Sequence, residues 1–289
     1  MEKNISLLRL FLKKIASHQT PIRKEEKRDA ATIRTYNIKY TILCEYLHLK
    51  NQSKLKAGKV TKEWCYEYYD ALCEKYTNNY SIRCVQLVVS VLEYGKNEKI
   101  ISDNPVPAIK LIKTPPKDPE YFTPDEIKLW FEFQTSDEDL QKAGHLAVVQ
   151  ICTGYDYGDF KEIRREHVAI FRGRKYIKKP RHKNDNECIA PLPYECECIL
   201  EFYNYNMDLL SNSEYNAYLK IISKRLGTKP TLKCKDLRKV FVMDQLNNKG
   251  VPVAAVSKMA GHKRIKTTED TYAQVNINLI GNELDKLGL

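Results

Sequence analysis

Residues 257–272 of the chain read Ser-Lys-Met-Ala-Gly-His-Lys-Arg-Ile-Lys-Thr-Thr-Glu-Asp-Thr-Tyr. The apolar spacing just before and inside this segment predicts a short helix over 253–259, and Gly261 suits the left-handed residue that ends many helices. His262 follows that helix end directly, and Tyr272 comes ten positions later in a polar segment. We therefore expect both side chains to be available for chemistry.

A helix upstream of this segment carries two cations. It opens with Lys235-Asp-Leu-Arg238, shows helical apolar spacing and ends at Gly250. Because positions three apart share a helix face, Lys235 and Arg238 should point the same way. An arginine suits phosphate oxygens, since its planar guanidinium donates two hydrogen bonds and stays charged.

The order Lys-x-x-Arg238, Gly261-His262 and Thr-Thr-x-x-x-Tyr272 resembles the C-terminal signature of the tyrosine recombinases, the phage integrase family. The resemblance implies a mainly α fold with a small antiparallel β-sheet, divided into a helical core-binding domain and a mixed α/β catalytic domain. It also implies that Tyr272 attacks a DNA phosphodiester without a metal or other cofactor. A 3′-phosphotyrosyl bond then forms, and strand exchange passes through a Holliday junction.

The same resemblance assigns catalytic partners to Tyr272. Arg238 would bind the non-bridging phosphate oxygens, and His262 would donate to the phosphate or position the tyrosine. Lys235 stands where the family normally has a histidine and can still donate to a phosphate. Outside this signature, Arg238 would be read as a surface arginine and His262 as a helix-cap residue.

Residues 168–192 change character and predict a three-stranded antiparallel sheet with two turns. Lys183 lies beside the second turn, in a segment, 161–183, with ten Lys and Arg against two Asp and Glu. In the family a lysine on this hairpin protonates the leaving 5′-oxygen, and the position of Lys183 matches it. A solvated hairpin tip is the alternative interpretation.

Asp156 departs from the family pattern. It follows Thr153-Gly-Tyr155 at the position where the family normally has an arginine, and a carboxylate facing the scissile phosphate should repel it. The conjugative-transposon integrases are similar in lacking this first arginine. Arg181 offers a substitute, because residues two apart on a strand share a face and Arg181 would lie beside Lys183.

A connector rich in prolines and lysines, residues 104–117, divides the chain. We predict a helical core-binding (DNA-binding) domain over 1–112 and a catalytic domain over 113–289. The fourth helix of the first domain should stop at Gly95. An apolar stripe from residue 276 onward predicts a C-terminal tail helix.

The net charge of the 289-residue chain, +11, is unevenly placed. Residues 1–115 contain 21 Lys and Arg against 12 Asp and Glu, which leaves 27 against 25 for the remainder. A basic N-terminal half indicates an arm that grips a polyanion such as DNA. A basic domain that is merely soluble is the alternative, and charge alone does not separate the two.

The nine cysteines include no Cys-x-x-Cys pair, and Cys196-x-Cys198 lacks the spacing of a zinc ligand pair. They are typical of small buried side chains in a reducing compartment. No apolar run is long enough to span a membrane. These observations predict a soluble, cytoplasmic protein.

The sequence as a whole predicts a site-specific DNA recombinase, an integrase of a mobile element. The resemblance implies that it acts on double-stranded DNA as a homotetramer whose tail helices dock on neighbouring subunits, with an accessory DNA-bending protein as a further candidate partner. Two alternatives stay open: a type IB topoisomerase-like enzyme that religates the same strand, and a degenerate recombinase that only binds DNA.

Overall fold

The described residues of the computed structural model are 4–20, 28–115, 122–182, 186–229, 232–272, 281 and 284, with only the backbone considered for 270–272. The architecture is mainly α with a small antiparallel β-sheet, as predicted. The chain divides into two units, residues 1–117 and 118–289. Lys183 lies outside the described residues, and so does the predicted tail helix apart from positions 281 and 284.

The described part of the first unit contains the four predicted α-helices. They are α1 Leu7–Gln19, α2 Ala30–Leu49, α3 Lys62–Cys73 and α4 Asn78–Asn97. Three of them begin at capping side chains: Ser6, Asp29 and Thr61 each accept a hydrogen bond from the backbone N of the residue three positions on. The apolar faces of all four helices meet in one core.

Gly95 does not end the fourth helix, which was the prediction. It lies inside α4, which continues for two more residues, and it is buried against α1. A Cβ atom at this position would lie 2.7 Å from Leu10 Cδ2 and 3.3 Å from Ile101 Cγ1. Gly95 therefore allows α1 to pack closely against α4. Its position in the sequence did not distinguish this packing role from the end of a helix.

The start of the connector is held to the first unit by two asparagines at the beginning of α4. Asn78 Nδ2 donates to the carbonyl of Ile112 at 3.0 Å and to Thr114 Oγ1 at 2.8 Å. Asn79 Oδ1 accepts from the backbone N of Thr114 at 3.1 Å. Tyr69 in turn donates to Asn78 Oδ1 at 2.7 Å. The connector is thus ordered against the first unit as far as Thr114.

The described part of the second unit contains eight α-helices and three strands. In chain order they are α5 Pro124–Phe131, α6 Glu138–Thr153, α7 Tyr157–Phe160, β1 Val168–Phe171, β2 Arg174–Pro180, β3 Glu187–Pro191, α8 Tyr194–Phe202, α9 Asn212–Arg225, α10 Cys234–Met243, α11 Val253–Met259 and α12 Ile265–Tyr272. The strands form the predicted antiparallel sheet in the order β1-β2-β3, with Ala169 opposite Tyr176 and Ile177 opposite Ala190.

Helix α6 is the centre of the second unit. Asp137 caps its first turn, and Gly154 ends it with a φ of 66°. Its face is buried against α9, α10, α8 and β3. Gly154 also has no room for a side chain, because a Cβ atom would collide with the ring of Phe241 on α10. This close approach brings α10 directly against the end of α6.

The polar segment before Tyr272 forms a helix that ends at this residue. The sequence between Arg264 and Tyr272 is polar, yet Ile265–Tyr272 forms α12, which contacts α10 and α11. Thr268 is fully buried on this helix. Thr268 is the buried residue among 265–269, and a buried polar residue gives no signal in a hydrophobic periodicity.

Six of the nine cysteines are buried, as expected for small apolar side chains, whereas Cys73 and Cys198 are exposed. Within the described ranges no helix is both long enough and apolar enough to cross a bilayer.

Candidate active site

Two buried arginines of the second unit converge on one carboxylate. Arg181 follows β2 directly, and Arg238 lies on α10; both are almost completely buried. Arg181 Nη2 forms an ion pair with Asp156 Oδ2. The other oxygen, Asp156 Oδ1, lies 3.9 Å from Arg238 Nε. Two guanidinium groups from distant parts of the sequence thus share one anionic partner.

Asp159 fixes the orientation of Arg181. Its Oδ2 lies 3.2 Å from Arg181 Nε, and its Oδ1 accepts the backbone N–H of His182 at 2.8 Å. The Asp159 side chain is only 4% exposed. A buried carboxylate without a partner is costly, so the ion pair between Asp159 and Arg181 is expected to form once the fold brings them together.

Arg238 is held by the ends of two helices. Its Nη1 donates to the carbonyl of Gly154 at 2.6 Å, at the end of α6, and its Nη2 donates to the carbonyl of Ala260, at the end of α11. The last carbonyls of a helix have no partner within the helix. Arg238 therefore satisfies two such groups while its guanidinium is locked in place.

Gly261 brings the hairpin against α11. It has a φ of 63° and follows the last turn of the helix, as predicted. A Cβ atom here would collide with Cys188 Sγ and would lie 2.8 Å from Arg181 Cδ. Asn186 Nδ2 donates to the carbonyl of Gly261 at 3.3 Å. Only glycine allows this backbone conformation and this close approach together.

His262 is a neutral histidine beside the arginine pair. Its backbone N donates to the carbonyl of Ser257 at 2.9 Å, and its Nδ1 lies 2.8 Å from Thr268 Oγ1. Burial lowers the pKa of His262 to about 4, and the charges of Arg238 and Arg181 act in the same direction. At neutral pH one ring nitrogen is therefore a donor and the other an acceptor.

Lys235 differs from Arg238 in burial, although both lie on α10. Lys235 is exposed and Arg238 is buried, which fits a rotation of roughly 60° between positions three apart on a helix. Arg238 therefore lies inside the site, whereas Lys235 is exposed on the same helix and its contact with the phosphate stays a prediction.

The strand β2 alternates as the sequence predicted. Ile177, Lys179 and Arg181 are buried, whereas Lys178 is exposed and pairs with Glu187 at 3.1 Å. The predicted neighbour of Arg181, Lys183, lies outside the described residues, so its position beside Arg181 stays a prediction. The same holds for the Tyr272 side chain, although its backbone ends α12.

The pairing of Asp156 is the feature that sequence reasoning missed. The carboxylate was expected to face a phosphate and repel it, and its two arginine partners were not foreseen. Asp159 was missed as well. A signal was present: two aspartates close together precede a segment of ten basic residues, and buried charges require partners.

The family model described as the phage integrase family matches residues 121–278, which is more than half of the chain. The chain belongs to the phage integrase family. Members of this tyrosine recombinase family break and rejoin DNA strands, and the chain is an enzyme of this class. Comparison with curated protein sequences finds no match.

Solved structures of phage integrase family members share the fold over almost the whole chain. One is the Tn1549 transposon integrase in complex with a circular intermediate DNA: the TM-score is 0.72, the identity 14%, and the match covers 98% of this chain and 99% of that one. Another is a lambda integrase tetramer bound to a Holliday junction, with a TM-score of 0.70, 14% identity, and coverage of 95% and 81%. A lambda integrase dimer bound to a core site matches with a TM-score of 0.67 at 15% identity, covering 92% and 98%.

No cluster of His, Cys, Asp and Glu suited to a metal ion occurs among the residues that the structure describes. The candidate site of this integrase family member consists of the arginine pair, the neutral histidine and the two aspartates. It lies next to the helix that ends at Tyr272.

Proposed function

We propose that this protein is a site-specific integrase of a mobile element, which cuts and rejoins DNA through Tyr272. The observation that supports this most is the convergence of Arg181, Arg238 and neutral His262 beside α12. Guanidinium groups fixed before substrate arrives are suited to stabilise the charge that develops on a phosphate in the transition state.

The proposed chemistry is an exchange of one phosphoester bond for another. The Tyr272 hydroxyl releases its proton to solvent as its oxygen attacks the phosphorus, the bond to the 5′-oxygen breaks, and a 3′-phosphotyrosyl bond forms. Arg238 and Arg181 bind the non-bridging oxygens, and Lys183 gives the leaving 5′-oxygen its proton. A 5′-hydroxyl from a partner strand then reverses the step.

The remaining members of the site act around this exchange. Neutral His262 is suited to position the Tyr272 hydroxyl or to donate to the phosphate, because one of its nitrogens is a donor and the other an acceptor. Lys235, at the exposed edge of α10, provides a second positive charge to the phosphate. No cofactor is required by this chemistry.

We propose the partners by analogy with the structures that share the fold. The Tn1549 integrase belongs to a transposon and was solved with a circular intermediate DNA, and lambda integrase was solved as a tetramer on a Holliday junction. A homotetramer on double-stranded DNA is the matching assembly here. The basic excess of residues 1–115 suits the core-binding domain to grip the duplex.

Trapping on a nicked suicide substrate, made from the DNA that flanks the gene, tests the proposal. Tyr272→Phe should bind this DNA as well as wild type and form no covalent adduct, because the nucleophilic oxygen is missing. Tyr194→Phe is a matched control: it removes the hydroxyl of an exposed tyrosine of the same unit and should form the adduct normally.

Undiminished adduct in Tyr272→Phe would contradict the assignment of the nucleophile. Adduct formation without resolution of synthetic Holliday junctions would favour the type IB topoisomerase alternative. The DNA-binding alternative has one observation in its favour, the carboxylate of Asp156 between the arginines. A wild-type protein that binds but never cleaves its flanking DNA would support that alternative.

A further inference from the structure

We propose that the Asp156 carboxylate is an internal substitute for the DNA phosphate. In the DNA-free protein it occupies the place of the phosphate between Arg181 and Arg238, and the incoming phosphate displaces it. This inference rests on the proposed function, and it assigns Asp156 a role as an exchangeable ligand of the site.

The geometry of Asp156 resembles that of a bound phosphodiester. One carboxylate oxygen pairs with Arg181 Nη2, and the other lies 3.9 Å from Arg238 Nε. A phosphodiester likewise has two non-bridging oxygens that share one negative charge. Guanidinium groups bind carboxylates and phosphates in the same planar geometry. Replacing one anion by the other therefore leaves the charge of the site unchanged.

Both arginines keep other partners when Asp156 leaves. Arg181 Nε stays paired with Asp159, and Arg238 keeps the carbonyls of Gly154 and Ala260. The phosphate would therefore meet guanidinium groups that are already oriented, and the exchange requires no rearrangement of α10 or the hairpin.

The two aspartates are suited to opposite roles. The Asp156 side chain is 41% exposed, and although the residue precedes α7 it makes no capping hydrogen bond there. It can turn toward solvent without breaking another contact that holds the fold. The Asp159 side chain is 4% exposed and also accepts the backbone N–H of His182. Asp159 is therefore a fixed positioning residue, and Asp156 is an exchangeable one.

An anion is needed at this place whether or not DNA is bound. Two buried guanidinium groups lie against the same carboxylate, and neither can lose its proton. Asp156 supplies the missing negative charge before DNA arrives. If the carboxylate is removed, the arginine pair should take up an anion from solution more readily.

The test is the affinity of the full-length, DNA-free protein for inorganic phosphate, measured by calorimetry at constant ionic strength. Asp156→Asn removes the competing charge and should raise the affinity at least about tenfold, which corresponds to about 1.4 kcal/mol. Asp159→Asn should lower it, because Arg181 loses the partner that orients it. A higher phosphate affinity in Asp156→Asn together with a lower affinity in Asp159→Asn would indicate the exchange.

Glu187→Gln is the matched control for the loss of one negative charge. Glu187 is 40% exposed and pairs with Lys178 and Lys258 rather than with either arginine. Its removal should change phosphate affinity by no more than about twofold. The unfolding temperature of each variant shows whether it is folded, and Asp156→Ala replaces Asp156→Asn if the latter does not fold.

Equal or weaker phosphate binding by folded Asp156→Asn or Asp156→Ala would overturn the inference, as would an equal gain in Glu187→Gln. This outcome is independent of the test of Tyr272, since phosphate binding requires no cleavage. An adduct without the exchange leaves the integrase proposal intact and removes only this inference. If the phosphate measurements support the exchange but no covalent adduct forms, the protein has an anion site and does not cleave DNA.

Discussion

Each unit of the protein buries cations, but in different ways. In the first unit, Lys14 on α1 is buried and donates to the carbonyl of Ser90 at 2.7 Å and to the Ser90 hydroxyl. These partners are neutral. In the second unit, Arg181 and Arg238 are buried around the charged and partly exposed Asp156. A buried cation that is bound by neutral groups of the fold serves the structure. A buried cation whose anionic partner can be exchanged can bind a ligand.

The choice of residue follows from the same difference. A lysine among neutral partners can reduce the cost of burial by losing its proton, and burial lowers the pKa of Lys14 to about 8, with the charge of Arg28 as a second cause. An arginine cannot lower the cost of burial in this way, since it stays charged at any working pH. The second unit therefore needs an anion at its arginine pair, and the first unit needs none at Lys14.

The largest effect that this comparison predicts is on Arg181. Arg181→Ala should lower the rate of DNA cleavage by about two to three orders of magnitude, to near the level of Arg238→Ala, because each variant removes one preorganised donor to the phosphate. The measurement is the single-turnover cleavage rate on a nicked suicide substrate.

Lys178→Ala is the control for Arg181→Ala, because Lys178 is exposed on the other face of β2 and pairs with Glu187. It should cost much less. Introducing Asp156→Arg into the Arg181→Ala enzyme should restore part of the cleavage rate, because side chains at positions 156 and 181 both reach the proposed phosphate position. An Arg181→Ala enzyme as fast as wild type would make Arg181 a structural cation like Lys14.

A smaller effect is expected for a neutral partner within the site. Thr268→Val keeps the buried volume but removes the hydroxyl that pairs with His262 Nδ1 at 2.8 Å. A hydrogen bond of about 1 kcal/mol corresponds to roughly a fivefold lower cleavage rate. DNA affinity should be unchanged, because the imidazole loses its orientation and the arginines keep theirs. The measurement is the cleavage rate together with the dissociation constant for the same DNA.

Thr267→Val is the matched control, since Thr267 is the exposed neighbour on α12, and its cleavage rate should equal that of wild type. A loss of DNA affinity in Thr268→Val with an unchanged cleavage rate would show that this threonine serves only the fold.

The smallest effect is expected in the first unit and should appear in stability alone. Since the pKa of Lys14 is about 8 in the folded protein and 10.5 for an unperturbed lysine, the unfolded chain binds the extra proton between these pH values. The free energy of unfolding should therefore rise with pH from about 8 to about 10.5 in wild type, more than in Lys14→Met. Urea unfolding at a series of pH values measures this difference.

Lys50→Met, which removes an exposed lysine of the same unit, should follow the pH dependence of wild type. Cleavage by Lys14→Met should be normal under conditions where the protein is folded. A drop in cleavage would place Lys14 among the functional cations and break the contrast between the two units.

Much of the fold could be predicted from local sequence signals. Apolar spacing predicted the short helix α11, and Gly261 predicted its end. Two turn signals in residues 168–192 predicted the three-stranded antiparallel sheet. These features depend on backbone conformations and periodicities that a few neighbouring residues determine by themselves.

The spacing of the signature residues also predicted the family and named Arg238 and His262 as members of the site, and strand alternation beside Lys183 added Arg181. Gly95 shows the limit of such reasoning: a glycine near the end of a helical pattern was read as a stop, and it is a packing contact with α1. Whether a glycine ends a helix or admits a neighbour depends on what packs against it, and that is decided elsewhere in the chain.

The sequence alone thus determined most of the helices, the sheet, the order of the signature and the residue types available to bind a phosphate. Only the tertiary structure decided that Asp156 lies between Arg181 and Arg238 and that Asp159 holds Arg181. Residues 22 to 84 positions apart meet at this site. Pairings of buried charges are set by burial and distance in the folded chain, because a charge removed from water must find its partner among whatever side chains the fold brings near.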